Sequence, residues 1–263
     1  MIRVENIVVS FDLGGGQEHL VLDNLSLEVE QGQTVSIIGS NGAGKSTLLN
    51  AIAGTVPLRA GRIHLDGKDV TSWPEWQRAM YVGRVRQDPM AGTAGEMTVL
   101  DNLALASRKG PRRFRIATPA RFVREMEAKL GNLGMGLESR LHENVSRLSG
   151  GQRQALTLFM AVLSQPTVLL LDEHTAALDP ANAEMIDALT RRFIEEYHLT
   201  TLIVTHDMKR ALQQANRVVM MHEGQIIADL SGDEKKNMDV AGLVQLFKTA
   251  RGEDYTEDRD LLI

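Results

Sequence analysis

Gly39-Ser40-Asn41-Gly42-Ala43-Gly44-Lys45-Ser46-Thr47 decides how the rest of the chain is read. It follows the apolar run Val35-Ser36-Ile37-Ile38 and opens an amphipathic segment, Leu48-Leu49-Asn50-Ala51-Ile52-Ala53, that stops at Gly54 with Pro57 beyond. The order is strand, loop, helix. A G-x-x-x-x-G-K-[ST] loop needs its glycines so that backbone N–H groups can curl around phosphate oxygens. The helix behind adds its own unpaired N–H groups and the positive end of its dipole. In such a loop Lys45 neutralises charge on the β- and γ-phosphates, and Ser46 ligates Mg²⁺. A chance glycine-rich turn is the alternative, and the strand before and helix after weigh against it. The stretch reads as a nucleoside-triphosphate site.

The whole chain must accommodate that site. Its 263 residues allow one fairly large domain or two small ones. A net charge of −5 and a pI near 5.8 argue against a general nucleic-acid binder, whose footprint is basic. With no cysteine there is no disulfide, thiolate nucleophile or Cys-ligated metal, which fits a reducing compartment. Met1-Ile2-Arg3-Val4-Glu5 begins in strand-like alternation, so no signal peptide is expected. No stretch approaches the roughly 18 uncharged apolar residues of a membrane span, and the chain is expected to be soluble by itself.

Downstream lie three more stretches with chemistry. Leu148-Ser149-Gly150-Gly151-Gln152 precedes a long apolar-periodic helix, Ala155 to Leu163. A Ser-Gly-Gly at a helix start is a second anion-binding nest, offering backbone N–H groups, a hydroxyl and a dipole. One triphosphate scarcely needs two such sites from one chain, so the second nest is expected to serve a nucleotide held by another copy. Thr167-Val168-Leu169-Leu170-Leu171-Asp172-Glu173 is a buried-strand run ending in two carboxylates. At the carboxyl end of a parallel strand, Asp172 is suited to hold Mg²⁺ through water and Glu173 to orient and polarise the attacking water. A helix N-terminus is the competing reading of those acids. Thr201-Leu202-Ile203-Val204-Thr205-His206 is a further strand whose terminal His206 falls where an imidazole could meet a γ-phosphate, although a lone histidine is usually structural. His142-Glu143 and His222-Glu223 lack the second histidine of H-E-x-x-H, and no zinc site is expected.

The remaining segments supply the frame. Ile2 to Phe11 and Leu20 to Glu30 alternate apolar and polar residues and are joined through Asp12-Leu13-Gly14-Gly15-Gly16, which predicts an antiparallel hairpin. The glycines are no dinucleotide fingerprint, since position 19 is His and no helix follows. Arg62 to Val70 predicts a second hairpin on an Asp66-Gly67 turn, and Tyr81 to Gln87 a further strand. From Asp88 to Arg147 the periodicity is helical, in Val99 to Leu105 and Phe122 to Leu133, as expected of an insertion between strands. Its basic residues Arg108, Lys109, Arg112, Arg113, Arg115, Arg121 and Arg124 read first as a solvated face and second as a contact for anionic lipid headgroups or a partner. Only Phe114 and Phe122 interleave with them, too few for a nucleic-acid platform. Asp207 to Ala215 predicts a helix, Arg217 to Leu230 a hairpin turning at Glu223-Gly224, and Asp239 to Phe247 a short helix before the acidic stretch Glu253 to Asp260.

Taken in order, these motifs resemble the ATP-binding cassette family over residues 2 to about 230: Walker A at Gly39 to Ser46, a Gln87 loop, the signature Leu148 to Gln152, Walker B at Val168 to Asp172 with Glu173, a D-loop Ala177-Leu178-Asp179, and the switch His206. A lone P-loop leaves many families open; the ordered set leaves almost none. The resemblance implies an α/β fold, with a P-loop core on a mostly parallel sheet, an N-terminal antiparallel β subdomain and an inserted helical subdomain. On that pattern residues 1–87 and 164–235 form the nucleotide-binding core, 88–163 the helical subdomain with the signature, and 236–263 a C-terminal helix and acidic tail. It implies an ATPase in which Phe11 stacks on adenine, the alternative being a core-facing strand aromatic. It further implies a head-to-tail homodimer holding two ATP molecules, each between one chain's Walker A and the other's Ser149, Gly150, Gly151 and Gln152, with Asp179 beside the nucleotide. Lys45, Ser149 and His206 would offset phosphate charge, while Gln87 would link Mg²⁺ and water geometry to the helical insert.

In transporters of this family the insert receives a coupling helix from a separate membrane permease, which would place this chain at the cytoplasmic face of the membrane. One departure stands out. Where the family commonly has proline after the water-positioning acid, this chain has His174, which suggests pH sensitivity near neutrality. With Val219-Met220-Met221-His222-Glu223-Gly224, this block resembles bacterial uptake-system ATPases paired with branched-chain-amino-acid-like permeases and a substrate-binding protein. The alternative is a soluble cassette ATPase of an assembly system such as iron–sulfur cluster biogenesis. A DNA-repair or translation cassette would show a long coiled-coil insertion or two cassettes in one chain, and neither is present. The transported substrate is not written in this chain, because selectivity resides in the permease and its binding protein.

Overall fold

The alternation at the N-terminus resolves into two long paired strands, β1 (Ile2–Asp12) and β2 (Glu18–Val29), in a computed structural model that describes residues 1–12, 14–15, 17–108 and 118–251. Two compact units emerge, one comprising Met1–Ala79 with Leu199–Ile263 and the other Met80–His198. In the first, β1 and β2 run antiparallel with Ile2 opposite Val29 and Phe11 opposite His19. Then come β3 (Thr34–Gly39), α1 (Lys45–Ala53), β4 (Ala60–Leu65), β5 (Lys68–Asp69) and the short α2 (Glu75–Arg78). Strand β4 pairs with β1, Leu65 opposite Ile2, and turns into β5 through Asp66 and Gly67, both left-handed, as an Asp-Gly hairpin turn requires. Gly54 ends α1 in the left-handed conformation, as expected from its place in the sequence.

The second unit carries β6 (Val82–Val85), α3 (Val99–Ala106), α4 (Ala120–Gly131), α5 (Gly150–Leu163), β7 (Val168–Asp172) and α6 (Pro180–Tyr197). Strands β6 and β7 are parallel, Val85 level with Leu171. Helix α5 begins earlier than apolar periodicity suggests. Two glycines are poor helix formers, but a capping box starts the helix there, with Ser149 Oγ accepting from the Gln152 N–H and Gln152 Oε1 accepting from the Ser149 N–H, each at 3.2 Å. Helices α5 and α6 share an aromatic core, the Phe159 and Phe193 rings 6.2 Å apart. Arg121 and Arg124 are exposed on α4, as a solvated face requires. Lys109, Arg112, Arg113 and Arg115 lie outside the described residues, as do Leu13, Gly16 and the acidic stretch Glu253 to Asp260.

The first unit then resumes with β8 (Thr200–Val204), α7 (Met208–Gln214), β9 (Arg217–His222), β10 (Gln225–Ser231), α8 (Gly232–Lys236) and α9 (Val240–Arg251). Here β3 lies between β8 and β9, parallel to both, and β10 pairs antiparallel on the outer side of β9. Every residue of β8 is buried, the pattern of a parallel strand covered on both faces. Ile38, Val218 and Met220 pack with Met208 and Ala211 of α7 and with Leu243 and Phe247 of α9. Among the described residues no helix is long and apolar enough to cross a membrane.

Candidate functional site

Strand β3 ends at Gly39, whose φ of 148° and surroundings admit only glycine: a Cβ there would lie 2.1 Å from the Met221 carbonyl oxygen. From that point the chain curls. Gly42 and Gly44 are left-handed at φ 78° and 93°, and the Ala43 N–H donates to the Ser40 carbonyl at 3.2 Å. Lys45 is buried, and its Nζ donates to the carbonyls of Gly39 at 2.8 Å and Ser40 at 2.9 Å, so the ammonium is held inside the curl. Helix α1 starts on Gly44, which offers no side-chain cap to the first-turn N–H groups. Ser46 exposes its side chain at that same end. A buried cation and an uncapped helix N-terminus on one loop form an anion site suited to phosphate.

The rear of this loop is braced by a distant turn. The Gly224 N–H donates to the Ala43 carbonyl at 3.1 Å, and the Gly224 carbonyl accepts from the Asp23 N–H at 3.3 Å. The Glu223-Gly224 turn therefore joins β2 to the phosphate loop. The sequence marked it only as a hairpin turn, because contact partners so far away leave no local signal. Helix α1 is also held at its other end. Arg78, 3% exposed, donates from Nη1 to the carbonyls of Ala51 (2.7 Å) and Ile52 (3.1 Å), from Nη2 to Thr71 (2.9 Å) and from Nε to Trp73 (3.2 Å). A cation at the carbonyl end complements the helix dipole, while burial lowers the guanidinium pKa from its ordinary value.

His206 follows β8 at the same strand-end edge from which the phosphate loop leaves β3, since Ile37 and Val204 are in register and the Thr205 N–H donates to the Ile37 carbonyl at 3.2 Å. Its side chain is exposed. Phe11 is 41% exposed near the end of β1, which removes the core-facing alternative for that aromatic.

In the second unit the parallel register of β6 and β7 brings Gln87, Asp172 and Glu173 to one edge: Gln87 stands two residues past Val85, and the acids follow Leu171. Gln87 is exposed, and Asp172 and Glu173 are half-buried. Glu173 is left-handed at φ 48°, uncommon for a residue with a side chain. The chain then turns through Ala176 N–H to Glu173 carbonyl (3.0 Å) and Leu178 N–H to Thr175 carbonyl (3.2 Å) before Asp179 caps α6. Asp179 accepts from the Asn182 side-chain amide at 2.6 Å and its N–H at 3.1 Å, and these bonds hold its carboxyl below the ordinary value. Gly151 meets the same asparagine, for a Cβ at Gly151 would lie 2.5 Å from Asn182 Oδ1. The starts of α5 and α6 are thus in close contact, and Asn182 is a residue the motif reading missed. Its signal was its place three residues after an Asp-Pro cap. The Ser149-Gly150-Gly151 turn is exposed at Ser149 and Gly150, with first-turn N–H groups that have no acceptor within the helix. His174, by contrast, is buried. No cluster of three or more His, Cys, Asp or Glu suited to a metal occurs among the described residues.

Residues 22–176 match a family described as ABC transporter. The chain is 42% identical over 250 residues to a tyrosine transport ATP-binding protein of Clostridioides difficile (strain R20291), covering 95% of this chain and all of that one. It is 38% identical over 226 residues to a sulfate/thiosulfate import ATP-binding protein of Chromobacterium violaceum, covering 86% of this chain but only 60% of that relative's length. Among solved structures, a dimeric post-hydrolysis ATP-binding cassette bound to ADP and Pi superposes with a TM-score of 0.75 at 26% identity, covering 88% of this chain and 98% of the other. The ADP conformation of another ABC transporter cassette gives 0.76 at 29% identity, over 94% and 98%.

Proposed function

The chain belongs to the ABC transporter family, as an ATP-binding subunit that hydrolyses ATP, and from that premise we propose that it powers import of an amino acid of the tyrosine class through a separate membrane permease. The single observation that carries the substrate class is the 42% identity spanning the full length of the tyrosine transport relative. The sulfate/thiosulfate relative is matched over only 60% of its length, which favours the first over an inorganic anion. The chain is peripheral to the membrane on its cytoplasmic face, and the permease is of the branched-chain-amino-acid-like type, served by a substrate-binding protein. The helical segment 88–163 receives the permease. An assembly ATPase is not favoured by its relatives, which are named as transport and import proteins.

Two copies associate head to tail. ATP lies on Gly39 to Thr47 of one, adenine against its Phe11, and meets Ser149, Gly150, Gly151 and Gln152 of the second, with Asp179 beside it. Support comes from the dimeric ADP- and Pi-bound cassette of the same fold. Hydrolysis asks for positioning and charge stabilisation more than for covalent help. Lys45 and the α1 N-terminus bind the β- and γ-phosphates, Glu173 orients water and takes its proton, and His206 steadies the γ-phosphate. Ser46, Asp172 and Gln87 would hold Mg²⁺. A hydroxyl, one carboxylate and an amide, completed by phosphate oxygens, suit that ion, which seldom takes an all-protein cage. When bound, the ion would neutralise charge developing on the phosphate oxygens. Closure of the pair on ATP and opening after hydrolysis would drive the permease.

The test is affinity purification from native membranes in mild detergent with mass spectrometry. Recovery of a multi-span permease, and a binding protein whose ligand is an aromatic amino acid, is the expected outcome. Soluble partners alone, with ATP-dependent dimerisation intact, would overturn the transporter reading for this chain.

A further inference from the structure

His174 directly follows the acid assigned to the attacking water, and its ring is buried, 4% exposed. Its Nε2 lies 3.3 Å from Thr190 Oγ1 and 4.0 Å from Asp187 Oδ1, both on α6. Thr190 Oγ1 already donates its one proton to the Ile186 carbonyl at 2.8 Å. Toward the imidazole the hydroxyl can therefore only accept, so Nε2 must carry the hydrogen. The facing Asp187 carboxylate fits the same assignment, since a lone pair at Nε2 would be repelled by it. The contact is thus directional: the Nε2–H of His174 donates into the middle of α6.

The segment from Glu173 to Asp179 is fixed at both ends on a single helix. At its far end Asp179 caps α6; at its near end His174 reaches Thr190, well along the same helix. Between them the backbone leaves Glu173 in the left-handed region, a conformation that persists only where the surroundings over-determine it.

We infer that His174 is a positioning residue for hydrolysis: its Nε2–H bond to Thr190 holds the backbone after Glu173 and so fixes the direction in which the Glu173 carboxylate meets the attacking water. This rests on the assignment of Glu173 made above. The contact acts on the geometry of the chemical step and leaves the phosphate loop, on another part of the chain, untouched. Its loss lowers kcat and spares the KM for ATP.

The experiment measures steady-state ATP turnover of the full chain in four variants with Mg²⁺ and ATP. His174→Phe keeps a ring but removes the donor; expected is a roughly tenfold fall in kcat with KM within twofold. His174→Gln places an amide N–H where Nε2 stands and is expected to recover kcat to within about threefold of the parent. Thr190→Val removes the acceptor while keeping the shape, and should fall as His174→Phe does. The double variant should be no worse than either single change. Glu173→Gln is measured alongside.

Equal losses in His174→Phe and His174→Gln, a matching rise in KM, or effects of His174→Phe and Thr190→Val that simply multiply would overturn the inference. If His174→Phe does not fold, His174→Gln and Thr190→Val decide it: kcat unchanged in Thr190→Val sinks the idea. Parent-like turnover in Glu173→Gln would instead sink the assignment of Glu173 itself. A dead Glu173→Gln beside an unaffected Thr190→Val would sink only the role given to His174.

Discussion

Gly39 carries the tightest steric constraint in the proposed nucleotide site, because the Met221 carbonyl occupies the space a Cβ would need. Gly39→Ala is expected to destabilise the protein by about 2 kcal/mol or more and to raise the Kd for ATP at least tenfold, read by chemical unfolding and nucleotide titration. A stable variant with parent-like affinity would show that the loop tolerates displacement from β9. Glu173→Gln tests chemistry at a single atom, since the amide keeps size but cannot accept the proton of water. Turnover should drop about 100-fold or more while ATP still binds, and near-native turnover would remove the role proposed for this carboxylate. The sequence made both residues visible, one through loop spacing and one through its place after an apolar strand. It could not reveal that His174 turns inward to Thr190 or that Asn182 sits against Gly151. Neither contact follows from residue type, since a histidine beside an acid reads equally well as exposed or buried, and a cap's third residue has no preferred neighbour.

Helix α1 shows what elements add beyond motifs. Its N-terminal end was legible from Gly44-Lys45-Ser46-Thr47, but the guanidinium at its carbonyl end was not, for Arg78 follows the ordinary stretch Glu75-Trp76-Gln77 and its hydrogen bonds go to the backbone carbonyls of Ala51, Ile52, Thr71 and Trp73. Arg78→Met should lower stability by about 3 kcal/mol in urea unfolding, and Arg78→Lys should recover little, because one ammonium cannot reproduce the planar fork. Full recovery by lysine would mean that charge alone matters there. Helix α6 yields a pH statement. Bonds from the Asn182 side chain and N–H hold the Asp179 carboxyl below its ordinary value of 3.8. Because the folded value is depressed, the stabilisation is fully present above the unfolded value and is lost only as pH falls through the folded one. Asp179→Ala is therefore expected to lower the urea midpoint by the same amount at pH 7 and pH 5. A deficit that shrinks by pH 5 would contradict the depressed value. The start of α5 at Gly150, ahead of its apolar periodicity, makes the same point: a capping box can set a boundary that hydrophobic pattern does not mark.

At the scale of the molecule, the order of motifs along the chain identified the fold, and the pairing of β3 with β8 and β9 gave it form. Nucleotide should act on the whole chain at once. With Mg²⁺ and ATP at about 100 times the Kd, binding is expected to add about 2.7 kcal/mol to unfolding. In gel filtration Glu173→Gln should pass from monomer to dimer when ATP is added, and elution unchanged by ATP would count against the head-to-tail pair. The neighbours of β3 carry one more consequence. Both strands beside it are encoded beyond residue 199, and the bond that braces Ala43 comes from Gly224. During synthesis the phosphate loop therefore leaves the ribosome long before either strand that flanks β3 exists. Closing so wide a chain loop is slow and comes late in folding. A nascent chain arrested ahead of β8 is expected to display every residue of the Gly39 to Thr47 motif and still capture no nucleotide, because the strands and the turn that hold the loop in place are not yet made.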